Sequence, residues 1–140
     1  MTDTKNTIEL KTGVHWICEK GMLCSEFFIP SGCPMVDSHM IDIHIKELDQ
    51  FLKAENITFL NDLTASDNVL SFEALKKWGE SEVLNKYRIA EAYVVDTLAD
   101  LIFLNQHIRL NNLEFQARVF QSIDNAKKWL REFIGDHHDY

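Results

Sequence analysis

Apolar and polar positions alternate with a period of two over the first part of the chain. Residues 7–10 and 14–18 follow this pattern, and the Lys20-Gly21 pair that comes next has the form of a two-residue turn. A period of two is typical of strands that bury one face. The pattern therefore predicts short antiparallel strands joined by tight turns.

The period changes to about four after residue 34. Residues 36–54 place four apolar side chains on one arc of an amphipathic helix, and residues 57–60 form a short apolar run that predicts a strand buried on both faces. The further predicted elements are a helix after Ser71, a strand at 89–95, a helix after Thr97, a strand at 115–120 and a helix after Ser122.

Strands that alternate with helices at this spacing predict right-handed crossovers and a largely parallel sheet. The predicted fold class is α/β, a mixed, mostly parallel sheet of about 5–6 strands with about 4 helices, in the order β-β-β-α-β-α-β-α-β-α. We expect a single domain over residues 1–135 and a frayed tail over residues 136–140.

Composition and charge exclude several classes of partner. The chain has 140 residues, of which 46% are hydrophobic, enough for the core of one domain. Its net charge of −8 disfavours nucleic acid and anionic lipid surfaces, but leaves basic proteins as partners. No run approaches the roughly 20 apolar residues of a membrane-spanning helix, and residues 1–7 do not resemble a signal peptide. These features predict a cytoplasmic location.

The three cysteines fit a reducing compartment, where thiols mostly serve as small buried hydrophobic groups. A two-residue turn at positions 20 and 21 would place Cys18 opposite Leu23 and Cys24 opposite Ile17. In that register the buried face carries Val14, Trp16, Cys18, Leu23 and Phe27, and Cys24 lies on the other face. A disulfide between Cys18 and Cys24 is therefore not expected.

Three blocks of the C-terminal half resemble the bacterial STAS-like family, which is related to the SpoIIAA-like anti-sigma-factor antagonists. The blocks are Arg-Ile-Ala-Glu-Ala-Tyr-Val-Val at 88–95, Ile-Phe-Leu-Asn-Gln-His-Ile-Arg-Leu-Asn at 102–111, and Ala-Arg-Val-Phe at 117–120 with Ala-Lys-Lys-Trp-Leu at 126–130. The resemblance implies the fold of that family and a regulatory, protein-binding role without catalysis. The motif-level match covers about residues 87–131, and most of its positions are core positions.

In the antagonists, a serine at the start of the helix after the central strand is phosphorylated by a partner kinase. The resemblance therefore marks a candidate switch or partner loop, which contains Asp62, Thr64, Ser66 and Ser71. The short Asp-Ser-Ser/Thr-Gly signature of the family is absent here. Ser71 has two interpretations, a phosphorylated residue at the positive end of a helix or a plain helix cap.

No arrangement of residues in the sequence predicts catalysis, a cofactor or a metal ion. His39 and His44 lie about 140° apart on a helix, so they do not share an ion, and His44 is expected to pack at the edge of the core. Nucleophile and phosphate-loop motifs are absent. Asn105 falls on an otherwise apolar helix stripe, where it either pairs with backbone groups or lines a ligand pocket.

Two functions follow from the sequence. The first is a non-catalytic regulatory or protein-interaction module. Such a module could be a degenerate phosphoswitch, and it could bind a partner protein or form a homodimer. The alternative is a carrier or sensor of a small apolar ligand held between helices and sheet. Five aromatic residues could line such a pocket or belong to a closed core: Trp16, Phe27, Trp78, Tyr93 and Phe103. A cavity would favour the carrier, and a closed core with an exposed apolar patch would favour interaction.

Overall fold

A computed structural model of the protein describes residues 6–53, 56–64 and 69–138. In these residues six strands form one sheet in chain order. The strands are β1 (Thr7–Leu10), β2 (Gly13–Glu19), β3 (Met22–Phe27), β4 (Ile57–Asp62), β5 (Arg88–Val94) and β6 (Gln116–Phe120). Strand β2 runs antiparallel to its neighbours β1 and β3, and β3 to β6 run parallel. The predicted mixed, mostly parallel sheet is confirmed.

Four α-helices accompany the sheet in the described residues. They are α1 (Ser38–Phe51), α2 (Phe72–Gly79), α3 (Leu98–Leu110) and α4 (Ile123–His138). Ser71 and Thr97 cap α2 and α3 by accepting hydrogen bonds from the backbone three residues on, as predicted. A short 3-10 helix at Leu84–Lys86, which the sequence pattern did not predict, precedes β5.

The helices lie on two sides of the sheet. Each parallel crossover moves to the next strand in the same direction, and such crossovers are right-handed, so α1, α2 and α3 cover one face. The larger core lies there, with Leu48, Leu75 and Leu104 from the three helices. A smaller core lies on the other face, where Ala126 and Leu130 of α4 pack against the sheet.

The end of the chain differs from the prediction. Helix α4 continues to His138, so the predicted frayed tail is helical over residues 136–138, and residues 139–140 lie outside the described residues. The boundary of the single domain at residue 135 stays a prediction. No helix in the described part of the chain is long and apolar enough to cross a bilayer.

The register of β2 and β3 also differs from the prediction. A bulge between Ile17 and Glu19 adds a residue to β2, so Trp16 lies opposite Cys24. Cys18 and Cys24 consequently share a face, their Cα atoms are 6.0 Å apart, and they form a disulfide. The prediction against this disulfide was wrong because the bulge leaves no trace in the alternation of apolar residues.

The bulge also changes which residues share each face of the hairpin. Trp16 and Cys18 pack in the core under α4, whereas Leu23 and Phe27 belong to the core under the other three helices. The sequence pattern had placed these four side chains together. The face that the pattern assigned to solvent instead carries His15, which is fully buried.

Candidate functional site

The candidate switch or partner loop, with Asp62, Thr64, Ser66 and Ser71, begins where β4 ends, and we call it the candidate switch segment. A carboxylate oxygen of Asp62 accepts a hydrogen bond from the backbone N–H of Thr64 at 3.0 Å and another from the Thr64 hydroxyl at 2.6 Å. This short turn holds the threonine hydroxyl against a negative charge. Ser66 lies outside the described residues.

Ser71 ends the segment and begins α2. Its hydroxyl oxygen accepts a hydrogen bond from the backbone N–H of Ala74 at 3.0 Å, and its own N–H donates to the carbonyl of Val36 at 3.0 Å. The interpretation of Ser71 as a helix cap is confirmed. Its phosphorylation stays a prediction.

Asn105 does not occupy the buried position that the sequence pattern predicted. It is exposed, and the buried side chains of α3 are Leu104 and His107. The prediction was wrong because apolar residues lie on both faces of α3, so the pattern does not determine which face packs on the sheet. The buried polar residue of this helix is His107.

Large apolar side chains are exposed at the starts of α3 and α2. Leu98 is 67% exposed, Ile102 is 53% exposed and Phe72 is 43% exposed. Leu98 and Ile102 lie one helical turn apart and so point in the same direction. The ring of Phe72 lies 6.3 Å from that of Phe103. We call Phe72, Leu98, Ile102 and Phe103 the α3 surface.

The α3 surface adjoins the candidate switch segment. Phe103 and Leu104 line a small cavity together with Leu63 and Val69, which flank the undescribed residues 65–68. The cavity volume of about 20 Å³ is close to that of one water molecule. Surface and segment therefore meet at the carboxyl ends of β4 and β5, the edge at which open α/β sheets bind their ligands.

Beneath the helices, four polar side chains cross the sheet at one level. His15, Ser25, Asn61 and Tyr93 lie opposite one another on β2, β3, β4 and β5, and all four are fully buried. We call these residues the polar row. Burial of so many polar groups is costly unless each finds a hydrogen-bond partner.

Glu91 supplies the partners at one end of the polar row. Its carboxylate accepts hydrogen bonds from Asn61 at 2.6 Å, from the indole N–H of Trp78 at 2.7 Å and from the hydroxyl of Tyr93 at 2.8 Å. Arg88 pairs with the same carboxylate at 3.3 Å, and neither side chain is exposed. Burial raises the pKa of Tyr93 well above its usual value, and the charge of Glu91 adds to that shift. Tyr93 therefore stays a hydrogen-bond donor.

Arg88 is itself fully engaged in the core. Its guanidinium donates to the backbone carbonyls of Trp78 and Gly79 at 3.0 and 3.2 Å. The group also lies 4.0 Å from the ring centroid of Phe115. A buried ion pair with this many hydrogen bonds holds α2 to β5 in one arrangement.

Two histidines occupy the other end of the polar row. The Nε2 atoms of His15 and His44 are 2.5 Å apart, and the remaining ring nitrogens contact Ser25 and Thr12 at 2.6 Å each. Burial lowers the pKa of His44 to about 4 and holds that of His15 well below 6.5. Both rings are therefore neutral at pH 7, so one Nε2 donates its proton to the other.

The sequence contained a signal for this network. Glu91 stands in a strand whose other residues are mostly apolar, and a charge at such a position indicates a buried, paired group. The expectation that His44 packs at the core edge understated its burial, since only 1% of it is exposed. Its partner His15 lies on the strand face that the register prediction assigned to solvent.

The aromatic residues that could have lined a ligand pocket lie in three places. Phe27 and Trp78 pack edge to face with ring centroids 5.1 Å apart, and Tyr93 belongs to the same core. Trp16 lies on the opposite side of the sheet, and Phe103 belongs to the α3 surface. In the described parts of the chain, no three His, Cys, Asp or Glu residues are grouped so as to hold a metal ion.

The chain is similar in structure to an uncharacterised DUF3478-family protein from Shewanella loihica PV-4, which has a SpoIIAA-like fold. The TM-score is 0.59 with 16% sequence identity, over 88% of this chain and 97% of the other. The chain has the SpoIIAA-like fold. No family model and no curated protein matches the sequence.

The SpoIIAA-like fold confirms the structural part of the resemblance to the STAS-like family. The likeness concerns the arrangement of strands and helices. Of the three recognised blocks, residues 88–95 are mostly buried, whereas in residues 102–111 only Leu104 and His107 are buried. Within this fold the polar row is sealed inside the core, and the α3 surface is the part of the candidate site that faces solvent.

Proposed function

We propose that the protein is a non-catalytic regulatory module that binds a partner protein through its α3 surface. The observation that carries the proposal is the exposure of Leu98 at 67% and Ile102 at 53% on one helix face. Clustered apolar side chains of this size on a water-exposed surface are typical of interaction sites. The resemblance to the STAS-like family supports the same role. The candidate switch segment lies at the same edge of the sheet as the α3 surface.

The charges around the α3 surface indicate the kind of partner. Glu73 and Asp100 lie in the first turns of α2 and α3, and the exposed Asp96 precedes α3. An apolar centre with an acidic rim is complementary to a partner with an apolar centre and a basic rim. A second copy of the chain would bring like charges together, so a different protein fits this surface better than a homodimer does.

The pairing of the buried ionisable groups supports the absence of catalysis. Glu91 already accepts four donors, and the two buried histidines are hydrogen-bonded to each other. A general acid or base must contact a substrate. These groups are buried and engaged, so their geometry serves to hold the core together.

Charged substitutions on the α3 surface test the proposal. In the Leu98→Asp/Ile102→Asp double variant we expect partner recovery to fall at least about tenfold, because two carboxylates would have to be buried at the interface. The partner would be identified and quantified by native mass spectrometry of protein gently purified from its own host. Sedimentation velocity on the same samples reports any homodimer.

Ile43→Asp is the matched control, since Ile43 is 49% exposed on α1, away from the α3 surface. It should leave partner recovery unchanged. Equal recovery by the double variant and the wild type would contradict the proposal, and so would an equal loss in Ile43→Asp. If the wild-type protein sediments as a dimer and the double variant as a monomer, the α3 surface binds a second copy of the chain and not a different protein.

A further inference from the structure

The disulfide between Cys18 and Cys24 lies on the sheet face opposite the α3 surface. Cys24 belongs to the small core in which Ala126 and Leu130 of α4 are buried, and Cys18 packs at its edge. The two sulfur atoms therefore form part of the surface on which α4 rests. Breaking or forming this bond therefore affects the packing of α4 more directly than that of the other helices.

The two cysteines differ in their accessibility. Cys24 is 3% exposed, whereas Cys18 is only partly buried and lies within the bulge of β2. A bulge leaves its extra residue outside the regular ladder, so Cys18 has no direct cross-strand partner on β3. An incoming thiolate therefore reaches the sulfur of Cys18, and Cys24 is the leaving group.

The disulfide is not needed to hold the hairpin together. Its cysteines are six residues apart, so closing this short loop restricts the unfolded chain less than closing a long loop would. The backbone ladder from Gly13 to Glu19 already joins β2 to β3. The fold therefore tolerates both the disulfide and the dithiol.

The bulge is also linked directly to α4. Glu19, next to Cys18, pairs with Arg131 through two hydrogen bonds of 2.9 and 2.5 Å. Trp16, opposite Cys24, packs in the same small core. The disulfide is therefore connected to α4 through both the small core and this ion pair.

We propose that Cys18 and Cys24 are a reversible thiol-exchange site whose redox state controls how firmly α4 docks on the sheet. A low-molecular-weight thiolate attacks the sulfur of Cys18, the bond to Cys24 breaks, and the Cys24 thiolate takes up a proton. A second thiolate attacks the outer sulfur of the mixed disulfide and releases Cys18 as a thiolate, which is also protonated. Two small thiols are oxidised to one disulfide, and the protein gains two electrons and two protons.

The test uses purified full-length protein in glutathione buffers with different ratios of reduced to oxidised glutathione. After alkylation, intact mass should show two extra modified cysteines as the buffer becomes reducing, with Cys33 modified throughout because it is a free thiol. Amide hydrogen exchange in Ile123–His138 should become about tenfold faster in the reduced protein, with α1 unchanged.

Two variants complete the experiment. Cys18→Ser should show the fast exchange of α4 in every buffer, and Cys33→Ser should behave like the wild type. Alkylation of all three cysteines at every glutathione ratio would overturn the proposal, because no disulfide would exist. A disulfide that forms and breaks without a change of exchange in α4 would overturn the control of docking.

Discussion

Replacing Glu91 by alanine is expected to lower the free energy of unfolding by about 3–5 kcal/mol. The substitution leaves Arg88 buried at 4% exposure without its carboxylate. It also removes the acceptor for Asn61, Trp78 and Tyr93, each of which is fully buried. Urea unfolding followed by circular dichroism measures the loss.

An exposed ion pair supplies the control for this prediction. Asp42 pairs with Lys77 at 2.6 Å, but both side chains are nearly half exposed, so Asp42→Ala should cost no more than about 1 kcal/mol. If Glu91→Ala does not fold, Glu91→Gln is measured in its place, because it keeps the shape of the side chain. Its loss of unfolding free energy should be larger than that of Asp42→Ala and smaller than that expected for Glu91→Ala. A Glu91→Ala variant as stable as Asp42→Ala would show that the buried network does not hold the core.

Acidification is the second change with a large expected effect. The free energy of unfolding should fall by about 2 kcal/mol between pH 7 and pH 5 because of His44 alone, and further because of His15. Both pKa values are lowered in the folded protein, that of His44 from 6.5 to about 4, chiefly by burial. Below pH 6.5 the unfolded chain therefore binds protons that the folded chain does not. The stability is complete above pH 6.5 and is lost progressively as the pH falls toward 4.

Two histidine variants separate this effect from general acid sensitivity. His39 is exposed on α1, so His39→Ala should show the same pH dependence as the wild type. His44→Leu removes one titrating group and should reduce the loss of stability between pH 7 and pH 5 by about 2 kcal/mol. A wild-type stability that does not change between pH 7 and pH 5 would contradict the neutral, buried pair.

The parts of the fold that depend on local patterns were predictable from the sequence. Ser71 and Thr97 were recognised as helix caps because capping requires only a suitable side chain before a helical pattern. The order of strands and helices followed from the change of period along the chain. The chain order of the strands within the sheet was not predicted, because a right-handed crossover can proceed in either direction along a sheet.

The parts that depend on contacts distant in sequence were not predictable in the same way. The bulge next to Cys18 changes the face of every residue before it in β2, yet no turn residue or glycine marks it. The packed face of α3 is decided by its fit to the sheet, which buries His107 and leaves Asn105 exposed. The contact between His15 and His44 joins residues 29 positions apart, so spacing along the chain does not reveal it.

The polar row and the α3 surface have complementary roles in this account. Glu91 and the two buried histidines fix the helices on the sheet in one arrangement. That arrangement leaves Leu98 and Ile102 on an exposed helix face beside the candidate switch segment. Partner binding is therefore expected to depend on the surface of α3 and on the stability of the core beneath it.

The most direct test of the proposed function is amide hydrogen exchange on the protein with and without its copurified partner. The account predicts slower exchange on binding in Leu98–Leu110 and at the start of Phe72–Gly79, with Ile123–His138 unchanged. Protection confined to α4, or to the α1 segment around Ile43, would contradict the assignment of the α3 surface as the site of partner binding.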